Sequence, residues 1–162
     1  NKQRLKKAMS SNDLISISGQ YSSTLYNAVL NDNWKTNGVA VANMLRGIAG
    51  KNNFWIGIQS IAPIAMEAVS KRLRVIASLT DIPCVALPNP HYCESEYAKD
   101  LYVLNCIEFK TTIPEIERRV QKGTETEQVL VDFFSSDQFH IPSYEEMAEL
   151  HKEEELEESS SV

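Results

Sequence analysis

Cysteine is scarce and odd in number. The 162-residue chain carries three, Cys84, Cys93 and Cys106, with no CxxC pair, which argues against a disulfide scaffold and fits a reducing compartment. Six Gly and six Pro exclude collagen-like and Pro-rich low-complexity chains. No apolar run approaches the roughly 18 residues that a membrane span needs, and no short apolar core follows the basic start, so neither a span nor a signal peptide is expected. Enzyme signatures are missing: there is no GxGxxG, P-loop, HExxH or Gly-x-Ser-x-Gly. No internal repeat is found.

The scattered His and Cys residues do not repair that absence. His91 and Cys93 stand close together with Cys84 near, but a zinc site wants a fourth ligand at a recognisable spacing. No metal or other cofactor is expected. Cys84 with His91 would in principle make a thiol–imidazole pair. A Cys inside an apolar strand is more often a small core residue, so a non-catalytic protein is the better expectation.

What is present is the composition of one globular domain, 43% apolar and 23% charged. The formal net charge of −6 conceals a polarity along the chain. Residues 1–75 hold ten Lys or Arg against three acids, a net of +7; residues 76–140 hold five against eleven, a net of −6; residues 141–162 hold Lys152 against eight Glu, a net of −7. A basic half is what a polyanion requires, because each cation near a phosphate releases a counterion. The alternative is a solvated helix face.

Residues 1–12 read as a basic arm or first helix, 13–140 as a globular domain and 141–162 as an acidic terminal helix and tail. Leu14–Gly19 alternates as a short strand. Ser22 or Ser23 caps a helix with Leu25, Tyr26, Val29 and Leu30, and Asn31–Asn33 breaks it. A second helix is predicted over 37–46 with Gly47 near its end. Phe54–Gln59 reads as a buried strand. Apolar residues from Ile61 to Leu79 recur at helical spacing, and Ile82-Pro83 leads into a strand at Cys84–Leu87.

A short helix over 94–100, a strand over 101–109 and a Pro114-started helix closed by Gly123 follow. Residues 128–134 fit helix or strand equally. Tyr144 to about Leu156 is a final helix whose Glu-rich end should fray. The fold expected is α/β, a three-layer α-β-α sandwich with a mixed central sheet. Its core candidates are Ile56, Ile58, Val69, Leu73, Ile76, Val85, Leu87, Val103, Leu104 and Ile107.

Three segments carry a resemblance: Met44-Leu45-Arg46-Gly47-Ile48-Ala49; then Phe54–Gln59 followed by Ala62-Pro63; then Ile82-Pro83-Cys84-Val85-Ala86-Leu87. In this order and spacing, residues 35–110 resemble the kink-turn-binding ribosomal-protein superfamily, which includes ribosomal, box C/D and H/ACA particle proteins and a ribonuclease P/MRP subunit. Leu104–Thr112 points to the ribonuclease P/MRP branch. The resemblance implies a non-catalytic RNA-binding subunit of a ribonucleoprotein complex, nuclear or nucleolar, with RNA and protein subunits as partners and no membrane.

The family's reading helix begins Gly-x-Asn-Glu and carries a Lys three residues past the Glu; here Gly38, Val39 and Ala42 hold those positions. RNA would then be bound through backbone and shape, or protein bound instead. The candidate RNA-binding residues are Lys35, Asn37, Arg46 and Lys51, which flank the second helix, with His91 and Tyr92 in the loop 88–93. The alternative is a protein-interaction module acting through its acidic tail, whose Ser160-Ser161-Val162 also fits a PDZ-ligand ending.

Overall fold

The computed structural model describes residues 14–59, 64–122 and 138–162; the basic start at 1–12, Gly123 and the ambiguous stretch 128–134 lie outside them. The described residues form an α/β fold in two compact units. One comprises 14–59, 65–87 and 144–162, the other Ile64 with 88–122 and 138–143.

The first unit opens with β1 (Ser16–Ser18), α1 (Thr24–Leu30), α2 (Trp34–Ala49), β2 (Phe54–Ile58), α3 (Ile64–Thr80) and β3 (Cys84–Ala86). The strands pair in the order β1-β2-β3, parallel in both pairings, with Ile17 opposite Trp55 and Gly57 opposite Val85. Ser23 caps α1, its Oγ accepting the Tyr26 N–H at 3.2 Å. The second helix runs past Gly47 and ends at Gly50, whose φ of 103° suits a glycine. The third stops at Asp81, itself left-handed at φ 52°, just ahead of Ile82-Pro83.

Strand periodicity then decides the core. Phe54, Ile56 and Ile58 are enclosed and join one cluster with Leu25, Val29, Ala42, Val69, Leu73 and Ile76, so the helices of both crossovers cover that face. Trp55 and Gly57 point to the other face. A Cβ at Gly57 would come within 2.9 Å of side-chain atoms of Ile17 and Leu87. Val85 is buried, while Leu87 is half-buried.

In the second unit a short 3-10 turn (Ser95–Tyr97) leads into α4 (Ala98–Glu108), followed by α5 (Ile113–Lys122). The sequence predicts a strand over 101–109, and the structure overturns it. Ala98, Asn105 and Cys106 are buried and Leu101, Tyr102 and Phe109 half-buried, which is helical spacing. Val103, Leu104 and Ile107 leave the core list, being 48%, 62% and 69% exposed. Without that strand, the sheet among the described residues is parallel where the sequence predicts a mixed one. Cys106 and Ile116 form a small cluster with Phe109 and Ile113 against it. The segment 91–92 is tied to 139–141: the His91 N–H donates to the Phe139 carbonyl at 2.7 Å and the Ile141 N–H to that of Tyr92 at 3.1 Å.

The acidic C-terminal residues return to the first unit as α6 (Tyr144–Leu150) and α7 (Glu153–Ser161), broken at His151-Lys152 where one helix is predicted. Nor does α7 fray. Its Ser159 Oγ accepts the Ala86 N–H at 2.8 Å, donates to the Glu155 carbonyl of its own helix at 2.6 Å and lies 3.2 Å from the Ala86 carbonyl, covering the outer edge of β3. Trp55 Nε1 donates to Glu158 at 2.6 Å. Polar contacts therefore anchor a helix that has little apolar surface.

Candidate nucleic-acid interface

Four of the six candidate residues belong to α2 and its exit. Lys35 lies in the first turn, Asn37 just beyond, Arg46 in the last turn and Lys51 one residue past Gly50. Eleven residues separate Lys35 from Arg46, about 16 Å along the axis and about 20° around it, so both share one stripe. Asn37 falls roughly opposite, and its side chain donates to Asn31 Oδ1 at 3.2 Å, closing the turn between α1 and α2.

Arg46 has a structural task. Its Nη1 donates to the Thr80 carbonyl at 2.6 Å, with a longer contact of 3.5 Å to that of Asp81, and its Nη2 donates to Asn43 Oδ1 at 2.7 Å. It thus satisfies carbonyls that the end of α3 leaves without intrahelical partners, while keeping its charge and partial exposure. Arg46 and Lys51 line an open cavity of about 570 Å³, with Asn43 and Asp81 also in its wall. Lys35 and Lys51 are exposed and have no acidic partner among the described residues.

The other described cations of the basic half, Lys71, Arg72 and Arg74, are engaged. Arg72 Nη1 donates to the Val29 carbonyl at 2.6 Å, and its guanidinium lies 5.4 Å from the Trp34 ring centroid. Lys71 pairs with Glu67 at 2.6 Å on the surface. Arg74 holds Glu155 in a two-point ion pair, Nε to Oε1 at 2.5 Å and Nη2 to Oε2 at 2.9 Å.

His91 and Tyr92 belong to the second unit. The His91 ring stands edge-on to Phe139 at 5.6 Å between centroids, and desolvation lowers its pKa. The Tyr92 hydroxyl accepts the Phe139 N–H at 3.1 Å. Both side chains help hold the loop to 139–141.

Gly38 and Ala42, two of the positions at which the resemblance places reading side chains, face the core. A Cβ on Gly38 would meet Ile76 Cδ1 at 2.8 Å and Val29 Cγ1 at 3.1 Å; Ala42 is fully enclosed and Val39 half-buried. Close packing of α2 on Val29 and Ile76 leaves no room at Gly38 for a larger side chain.

A cluster that sequence reasoning missed joins Arg74, Glu155, His151 and Cys84. Glu155 is almost enclosed, with His151 Nδ1 at 3.3 Å and the Lys152 N–H donating at 3.2 Å. Burial by itself would raise its pKa, but the hydrogen bonds from Arg74, His151 and the Lys152 amide outweigh this and hold the carboxyl at about 2. Burial, reinforced by the Glu155 charge, pushes the Cys84 thiol up to about 12. It stays protonated at neutral pH, which disfavours a thiolate there. The cluster borders a cavity of about 620 Å³ whose wall also includes Ser78, Lys152 and Glu158. An 81-residue separation hides the Arg74–Glu155 pair from any local motif.

Among the described residues, no group of three or more His, Cys, Asp or Glu is arranged to hold a metal ion, and no helix is long and apolar enough to cross a membrane. In comparisons with protein-family models and with curated proteins, the sequence matches none.

Proposed function

We propose that this chain is a non-catalytic RNA-binding subunit of a ribonucleoprotein complex, gripping phosphates with Lys35, Arg46 and Lys51. One observation carries the reading. Lys35 and Lys51 stand near the two ends of one helix, open to solvent and unpaired with acids among the described residues, with the half-buried Arg46 between them keeping part of its guanidinium exposed beside its bond to Thr80. Lys71 and Arg74, by contrast, are paired with acids and Arg72 is bound to the Val29 carbonyl. Contact is through the RNA backbone and shape, because Gly38, Val39 and Ala42 offer no base-reading groups.

The resemblance to the kink-turn-binding superfamily supports the same reading. It brings with it a nuclear or nucleolar location and protein co-subunits. It also brings the three-layer sandwich with a mixed sheet, which requires a strand added antiparallel to β1–β3. The acidic tail speaks less well for the alternative protein module, because Glu155, Glu158 and Ser159 are already engaged with Arg74 and the sheet.

Fluorescence anisotropy with a labelled kink-turn RNA tests the proposal. Lys35→Glu/Lys51→Glu should weaken binding by at least about tenfold while leaving the far-UV circular dichroism melt unchanged. Failure of the native chain to bind at low salt, or equal affinity in the double variant, overturns it.

A further inference from the structure

The three residues that α4 removes from the predicted core form a stripe. At about 100° per residue, Val103, Ile107 and Leu104 span about 100° of arc, with Tyr97 about two turns ahead of Leu104. Ala98, Asn105 and Cys106, the buried residues, lie around the other side. The helix is thus apolar on the face it packs and again on the face it shows, a pattern found in helices covered on both sides.

Beside the stripe is a cavity of about 530 Å³, lined by Tyr92, Tyr97, Leu101 and Leu104 together with the carboxylates of Glu94 and Asp100. Its volume is more than enough for one large apolar side chain.

Charge identifies the occupant. Asp100 sits in the middle of the apolar arc and is exposed, with no ion-pair partner among the described residues. Glu96, also exposed, falls within the arc, Glu108 borders it beyond Leu104, and Lys99 borders it on the Val103 side, so acids outnumber the one cation there. A second copy docked about a two-fold axis would set this acidic stripe against itself. We propose that the stripe docks a basic amphipathic helix of a protein partner. Apolar side chains of that helix at i, i+3 or i+4 and i+7 pack on Val103, Leu104 and Ile107, one of them enters the cavity beside Tyr97, and a Lys or Arg meets Asp100. The surface belongs to the second unit alone and does not depend on RNA binding.

The test uses the full chain and three labelled 18-residue peptides: a helix with one Leu face flanked by Lys, the same helix flanked by Glu, and a scrambled Leu/Lys sequence. The Lys-flanked helix should bind at least about tenfold more tightly than the scrambled peptide. Leu104→Glu should remove about tenfold or more of that affinity, since a charge then meets an apolar partner. Asp100→Lys should shift preference toward the Glu-flanked helix by about threefold. Should Leu104→Glu disturb the fold, Asp100→Lys carries the test by itself. Equal binding of the scrambled peptide, or variants that bind as the native chain does, overturns the proposal. So does sedimentation showing a dimer that Leu104→Glu dissociates, because the occupant is then a second copy.

Discussion

In the first unit Leu25, Val29, Phe54, Ile56, Ile58, Leu73 and Ile76 lie in one cluster and are at most 2% exposed. In the second, the buried cluster is Cys106 with Ile116, and one helix turns Val103, Leu104 and Ile107 to water. The contrast separates apolar side chains that make a fold from those left to meet something else. The cations of the first unit divide in the same way: Arg46, Arg72 and Arg74 close helix ends or a buried carboxylate, while Lys35 and Lys51 face outward.

The sharpest way to break the comparison is a matched pair of truncations. Ile58→Ala should cost about 2–5 kcal/mol in denaturant unfolding, since it empties an enclosed site. Ile107→Ala, on a largely exposed residue, should change stability by about 0.5 kcal/mol at most. Equal costs would show that the second unit depends on its exposed stripe for folding.

Arg74→Met should come next, at about 2–3 kcal/mol, because it leaves the nearly enclosed Glu155 carboxylate without its main partner. The pair also sets a pH dependence. Glu155 is held at about 2, below its ordinary 4.5, so the unfolded chain binds the extra proton first. Its contribution is therefore complete above about pH 5 and is lost as pH falls toward 2. Glu155→Gln should flatten that part of the stability profile, and an unchanged profile would remove the ion pair from its assigned role.

Smaller still is the effect expected at the end of α2. Arg46→Ala should cost about 1 kcal/mol by stripping the Thr80 carbonyl of its donor, whereas Lys51→Ala should move the melting midpoint hardly at all. Equal melting shifts for the two would erase the distinction between structural and outward-facing cations.

Much of the first unit is legible in the sequence because its signals are local. The Ser23 cap, the alternation of Phe54–Ile58, the stripe Val69–Leu73–Ile76 and the Pro83 boundary each act within a few residues. The strand predicted over 101–109 fails for the opposite reason. A short apolar run carries no period of its own, and the helix becomes apparent only when Ala98, Asn105 and Cys106 pack on one side. The acidic tail misleads because apolar content is a poor guide to a helix anchored by an ion pair, an indole N–H and a serine hydroxyl. The candidate site was half legible: charge patterning located Lys35 and Lys51, but the engagement of Arg46 with Thr80 is a contact across 34 residues.

The proposed interface, with Lys35 and Lys51 facing outward and the half-buried Arg46 beside them, is tested most directly by the salt dependence of kink-turn RNA binding. Three phosphate contacts predict a slope of log affinity against log salt between about −2 and −3 for the native chain, falling to about −1 in Lys35→Glu/Lys51→Glu. A slope near zero, or one that the double variant leaves unchanged, would contradict an interface built on these cations.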